Sequence, residues 1–193
     1  LIVGLGNIGL RHIQGLSKLN EKKNDFYIFD NSIDYLSRFK NEIDDLKNKN
    51  NLIFTKNLEK IKNINFDLTI ISTNADARVK LLQIILDKIN TEFILLEKPI
   101  SDDLQDAESL ADLVNDDSSN LMLGHILLFN SEFKSLRQEA MNRGALTHLD
   151  AVRHRPASIV RDFAGENPLH AAMVHDLYCA QALTNAEEPR NFS

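Results

Sequence analysis

The chain has 193 residues, 43% of them hydrophobic, with a net charge of −6 at pH 7. That hydrophobic share excludes a disordered chain, and the length holds one full domain and part of another. The acidic balance argues against a nucleic-acid or anionic-membrane surface, no apolar run reaches membrane-spanning length, and the single Cys179 fits a reducing, cytoplasmic compartment.

Leu1, Ile2 and Val3 read as the end of a buried parallel strand that runs directly into Gly4-Leu5-Gly6-Asn7-Ile8-Gly9. In a strand, glycine turn and helix start of this kind, Gly4 allows the tight turn and Gly6 lets the backbone approach a pyrophosphate. Gly9 lets helix and strand pack closely, and the helix N-terminus offers free N–H groups to the phosphate. Ile8, Ile13, Leu16 and Leu19 follow as an apolar stripe at roughly helical spacing. A second strand, Asp25 to Asp30, ends in an acid about 20 residues beyond Gly9, where a carboxylate accepts the ribose hydroxyls of an adenosine and repels a 2′-phosphate. Asp30 therefore points to NAD rather than NADP.

The alternation continues. A charged amphipathic helix is predicted over Ile33 to Lys47, a third strand over Asn51 to Thr55, a short helix near Leu58 to Lys62 and a fourth strand over Asp67 to Thr73. A long helix then places Val79, Leu82, Ile85, Leu86 and Ile89 on one face, and Phe93 to Glu97 forms the fifth strand. Ser101 is positioned to cap a helix ending near Val114, and Leu121 to Phe129 is the sixth strand. Strands alternating with helices imply an α/β fold with a right-handed, doubly wound parallel sheet, a Rossmann domain over residues 1–120.

From 121 to 193 the pattern is that of the beginning of a second domain. Phe133, Leu136 and Ala140 line a helix ending at Gly144, and Ala145 to Pro156 reads as a strand. Leu169, Met173, Leu177 and Ala180 then suit a packed helix. The absence of an initiator Met, and a last stretch without a concluding element, read as the ends of a fragment trimmed from a longer protein.

Two elements carry candidate chemistry. Glu97-Lys98-Pro99 stands at the carboxyl end of the fifth strand, the edge where doubly wound sheets bind ligands. Pro99 restricts the backbone of Lys98, and an ammonium held there stabilises an alkoxide formed during hydride transfer. His175, followed by Asp176, is the candidate proton acceptor for an alcohol. His125, His148 and His154 fall on predicted strands and receive no role. Arg153 and Arg155 share a strand face and offer a phosphate or carboxylate contact. His170 and His175 are not spaced to share a helical face, so no metal site is expected.

Taken together, GLGNIG at residues 4–9, Asp30, ISTNADAR at 71–78, EKPI at 97–100, GHILLFN at 124–130 and the His175-Asp176 pair resemble the Gfo/Idh/MocA oxidoreductase family. GHILLFN with the helix after it is most similar to branches acting on nucleotide-linked sugars, of the UDP-N-acetylglucosamine 3-dehydrogenase kind. The resemblance implies an N-terminal Rossmann domain and a C-terminal α/β domain with a mostly antiparallel open sheet, through which family members commonly form homo-oligomers. It also implies an NAD(P)-dependent dehydrogenase that acts on a secondary alcohol of a sugar, nucleotide sugar or cyclitol. Lys98 and His175 match the family's catalytic lysine and histidine. Gly4, Gly6, Asn7, Ile8, Gly9, Asp30, Ser72, Thr73, Asn74, Glu97 and Lys98 fall on its cofactor-binding segments. Two positions depart from the pattern: Ala171 stands where an Asp is common, with Arg161 and Asp162 as partial substitutes, and Asn74 stands where Pro is common. Ala171 keeps a second expectation open, a non-catalytic dinucleotide-binding sensor or assembly protein on the same fold. NADP-linked reduction of an imine or aldehyde is a third, disfavoured by Asp30.

Overall fold

Short apolar runs bounded by turn or helix-start residues become strands here, and at the centre of the sheet Ile2–Val3 and residues 69–71 are buried on both faces. The computed structural model describes residues 1–19, 23–32, 37–116, 120–144, 146–152, 154 and 173–184. Leu1–Gly124 and His125–Ser193 form two compact units. In the first, the strands are β1 (Ile2–Val3), β2 (Asp25–Phe29), β3 (Asn51–Thr55), β4 (Asn65–Ile71), β5 (Asn90–Leu96) and β6 (Leu121–Leu123). They lie in the order β3-β2-β1-β4-β5-β6, and every neighbouring pair is parallel. This is the Rossmann order, with its switch point between β1 and β4.

The helices are α1 (Asn7–Leu19), α2 (Lys40–Lys47), α3 (Ala75–Lys88) and α4 (Leu104–Asp116). Alternation along the strands splits the core into two layers. Ile2, Ile28 and Ile70 pack with Leu10 and Ile13 of α1 and Ile43 and Leu46 of α2. Val3, Ile71, Ile94 and Leu96 pack with Val79, Leu82 and Ile85 of α3 and Leu110 of α4.

The inward stripe of α1 differs from the predicted one. Leu10 and Ile13 are buried, whereas Ile8 and Leu19 are 49% and 77% exposed. The helix starts at Asn7, directly over β1, and that start turns Leu10 rather than Ile8 toward the sheet. The cap of α4 also differs: Asp103 Oδ1 accepts the Asp106 N–H at 3.1 Å, while Ser101 Oγ accepts from Asp103 just outside the helix. The sixth strand stops at Leu123, and Ile126–Phe129 forms a 3₁₀ turn instead of continuing it.

In the second unit, α5 (Ser131–Arg143) is capped by Asn130, whose Oδ1 accepts the Phe133 N–H at 3.0 Å, and ends at Gly144 with φ 109°. Only glycine adopts that backbone without strain. α6 (Val174–Thr184) packs against α5 and the 3₁₀ turn. Residues 146–152 and 154 carry no strand, because among the described residues nothing pairs with their backbone groups. Arg153, Arg155, Arg161, Asp162, Leu169, His170 and Ala171 lie outside the described residues.

Two glycines in α1 separate a packing requirement from a helix-propensity cost. A Cβ on Gly9 would stand 2.1 Å from the Gly4 carbonyl oxygen, whereas one on exposed Gly15 meets nothing within 4 Å. Gly9→Ala is expected to destabilise the protein by roughly 1–3 kcal/mol or more through forced backbone displacement. Gly15→Ala is expected to stabilise it by up to about 1 kcal/mol. Urea unfolding of the two variants beside the parent chain checks both signs.

Candidate functional site

Because the sheet is parallel, the ends of β1, β2, β4 and β5 open on one edge. Gly4, at φ 96°, turns the chain out of β1 and into α1. A Cβ on Gly4 would stand 2.9–3.1 Å from Thr73 and Ser72 atoms just beyond β4, so the turn is pressed against the neighbouring strand end. Ser72 Oγ donates to the Gly4 carbonyl at 2.8 Å, and its backbone N–H donates to Val3 O at 2.8 Å. Gly4, Gly9, Ser72 and Thr73 are thereby brought together at the switch point. A Cβ on Gly6 would project into open space with nothing within 4 Å. That open space at a helix N-terminus, bare of side chains, fits a dinucleotide pyrophosphate. Asn7 begins α1, and exposed Ile8 follows it.

Asp30 closes the other side of the turn. Its Oδ2 accepts the Leu5 N–H at 2.6 Å and its Oδ1 accepts the Ser32 N–H at 2.7 Å. Each carboxylate oxygen keeps a further acceptor position for a ribose hydroxyl. A cleft of about 190 Å³ beside it is lined by Leu5, Ile28, Phe54, Thr55 and Lys56 among others. Lys56, on the rim, drew no attention in the sequence because a lone lysine after a strand is ordinary. A larger cleft of about 550 Å³ opens at the opposite edge, beside Asp25 and Asn65 at the strand starts. Ligands of open α/β sheets bind outside the carboxyl ends, so the smaller cleft is the relevant one.

At the end of β4, Asn74 caps α3 with φ −62° and ψ 156°. That φ is close to the value a proline ring enforces, so this backbone accommodates either asparagine or proline. Thr73 Oγ1 is buried with no hydrogen-bond partner among the described residues. Arg78, one turn into α3, is buried and donates to Thr73 O at 2.6 Å and to Pro99 O. One guanidinium thus joins the segments that follow β4 and β5. Its sequence signal is the stripe Arg78, Leu82, Ile85, which puts a cation in line with core residues.

Lys98 follows β5 at the same edge, joined to Pro99 by a cis peptide bond. Glu97, just before it, is 6% exposed and faces inward: its Oε1 lies 2.7 Å from His12 Nε2 on α1. Burial pushes the Glu97 carboxyl up. The His12 hydrogen bond and charge, the Lys98 N–H and the Arg78 cation outweigh it and hold the group below the usual carboxylate range. Both Glu97 oxygens are thus bonded within the protein, to α1 and to the backbone N–H of Lys98. His12 was missed in the sequence, since nothing there links α1 to β5.

In the second unit, His175 is 8% exposed in the first turn of α6, with Asp176 half-buried beside it. Met173 and Leu177, expected to pack inward, are 45% and 57% exposed. The helix is instead turned so that His175 and Tyr178, three residues apart, face the unit's interior. The Tyr178 ring stacks on buried His125 with centroids 3.3 Å apart, and burial raises the Tyr178 pKa. Among the described residues no group of three or more His, Cys, Asp or Glu side chains is placed to hold a metal ion, and no helix is long and apolar enough to cross a membrane.

Residues 1–125 match the family model GFO_IDH_MocA, an oxidoreductase family with an NAD-binding Rossmann fold. No curated protein sequence matches the chain. Among solved structures, myo-inositol 2-dehydrogenase from Lactobacillus plantarum is similar with a TM-score of 0.78 at 16% identity, covering 95% of this chain and 55% of the other. Scyllo-inositol dehydrogenase from Lactobacillus casei with bound NAD(H) and scyllo-inositol gives 0.71 at 16% identity, over 95% and 55%. UDP-N-acetylglucosamine 3-dehydrogenase from Acidithiobacillus ferrooxidans gives 0.72 at 20% identity, over 96% and 56%. At these identities the likeness is one of fold, and the chain spans a little over half the length of each. The matched segment contains the glycine turn, Asp30, Arg78 and the Glu97-Lys98-Pro99 strand end in one sheet edge, and on that match the chain belongs to the Gfo/Idh/MocA family of NAD-binding oxidoreductases.

Proposed function

We propose that this chain belongs to an NAD-dependent dehydrogenase acting on a secondary alcohol of a sugar, nucleotide sugar or cyclitol. The observation that carries the reading is the position of Lys98. It follows β5 on the edge that also presents the glycine turn and Asp30, with its backbone held by Glu97 and the following carbonyl held by Arg78. Gly4, Gly6, Asn7, Ile8, Gly9, Asp30, Ser72, Thr73, Asn74, Glu97 and Lys98 are the residues assigned to the cofactor. The nicotinamide, when bound, supplies the hydride acceptor. Lys98 hydrogen-bonds the reacting hydroxyl oxygen and offsets the negative charge that grows there. His175 accepts the proton of that hydroxyl. The inositol and UDP-sugar dehydrogenases that share the fold support this substrate class.

The same reading takes the protein as a cytoplasmic homo-oligomer. Exposed Ile126, Phe129, Leu136, Met141 and Val152 in the second unit support an apolar interface, because so many large apolar groups gain from being covered.

In the full-length protein, NADH absorbance during incubation with NAD and a panel of polyols and nucleotide sugars is expected to rise. Lys98→Ala and His175→Ala are each expected to lower kcat by about 10²-fold or more, with NAD affinity within about twofold. Unchanged turnover in both variants removes this mechanism. Bound NAD without NADH formation on any substrate favours the binding-only sensor instead. Asp30→Ala is expected to weaken NAD binding about tenfold and to narrow its preference over NADP, measured by titration of both cofactors. An unaltered chain that prefers NADP overturns the assignment of Asp30.

A further inference from the structure

The Glu97 carboxylate sends its two oxygens in different directions. Oε1 meets His12 Nε2 at 2.7 Å, and Oε2 accepts the backbone N–H of Lys98 at 3.3 Å. An ionised carboxylate only accepts, so Nε2 of His12 carries the proton and donates. Gly124, just after β6, closes a third side. A Cβ there would stand 3.2–3.3 Å from the carboxylate atoms, while the Gly124 N–H is fixed to Leu96 O at 2.8 Å. The pair lies within the first unit, between the helix that starts at the glycine turn and the strand that ends at the lysine.

Core stability alone does not call for this arrangement. Taking a carboxylate out of water is costly, and apolar replacements of a buried ion pair are often neutral or stabilising. What the pair supplies is direction: a short bond to α1 fixes the carboxylate, and the carboxylate fixes the backbone at Lys98. We propose that His12 and Glu97 are positioning residues that hold Lys98 in register with the cofactor-binding turn, so that the helix under the cofactor and the lysine beside the substrate move as one body. The inference rests on Lys98 serving the reaction proposed above.

The test compares His12→Ala, His12→Gln, Glu97→Gln and Lys98→Ala in the full-length protein. Misplacement of a reacting group by about 1 Å costs up to 10²-fold in rate, so His12→Ala and Glu97→Gln are expected to lower kcat at least about tenfold. KM for the polyol and NAD affinity are expected to change much less than kcat, because both side chains bond within the protein. A double variant carrying His12→Ala and Glu97→Gln is expected to be no slower than the slower single, as for residues acting through one contact. His12→Gln keeps an amide N–H within reach of the carboxylate and is expected to recover most of the loss.

Parent-like kcat in His12→Ala and Glu97→Gln, with Lys98→Ala inactive, overturns this inference and leaves the proposed reaction standing. Turnover that persists in Lys98→Ala overturns both. Loss of NAD affinity in parallel with kcat marks a merely structural pair and also overturns it. Should Glu97→Gln fail to fold, equal kcat in His12→Ala and His12→Gln overturns the inference by itself. A readout without turnover is the carbon-13 resonance of reductively methylated Lys98. It is expected to move in His12→Ala and return in His12→Gln, and an unmoved resonance overturns the proposal.

Discussion

The site depends on the absence of one carbon atom. With a Cβ at Gly9, the chain would meet the Gly4 carbonyl oxygen at 2.1 Å, and α1 could not start where it does. Because it does start there, its first N–H groups lie over the end of β1 at the switch point, where neighbouring strands diverge and leave a crevice. The same start sets the rotation of α1. Leu10 and Ile13 turn into the core, Ile8 turns out, and His12 comes round to the β5 side within reach of Glu97. A close backbone approach at one glycine thus decides both where the cofactor phosphates fit and which side chain meets the strand end two positions across the sheet.

Around that turn the protein fixes its ligand-facing loops with buried polar groups rather than with apolar contacts. Arg78 takes the carbonyls of Thr73 and Pro99, and Glu97 takes His12 and the N–H of Lys98. The loops at a sheet edge have unpaired backbone groups by construction, since the ladder ends there. Groups near that edge are satisfied by side chains anchored in the core, and each anchor then dictates an orientation that an apolar contact would leave free. The Arg78 charge also helps to hold the Glu97 carboxyl low, so the two anchors reinforce each other electrostatically. A carboxylate whose folded-state pKa is depressed contributes stability above its unfolded value, and loses it as pH falls through the folded value.

Much of the fold was legible because its periodicities are local. The strand runs at Asp25, Asn51 and Leu121, the helical stripe Val79-Leu82-Ile85 and the glycine turn each declare themselves within a dozen residues. The place of Asp30 at the end of β2, beside the turn and bonded to the Leu5 N–H, was legible by its distance from the glycines. What escaped were relations between segments far apart in the chain. His12 and Glu97 are 85 positions apart, and no local pattern announces a bond between them. Arg78 was hidden for the opposite reason: it sits in the apolar stripe of α3, where a count of hydrophobic positions passes over it. The rotation of α1 departs from the stripe that starts at Ile8, because the register is set by packing on β1 rather than by the spacing of apolar residues.

The second unit shows how a polar contact overrides hydrophobic patterning. Met173, just before α6, and Leu177 would be the natural inward positions, yet they are exposed, and buried His175 with half-buried Tyr178 faces the interior. Burying a histidine and half-burying a tyrosine in place of two long apolar side chains brings polar ring atoms that must be accommodated, a cost that packing alone does not repay. The face-to-face contact of Tyr178 with His125 offsets part of it, since stacked aromatic rings contribute beyond the area they bury. It also places the ring of Tyr178 one helical turn from His175 against a histidine held in the first residues of the unit. Rotating the helix about its axis would break that stack and turn His175 out of the interior. The apolar face that this orientation leaves uncovered is the consequence of fixing the histidine, so exposure of Leu177 and burial of His175 are two results of one choice of helix register.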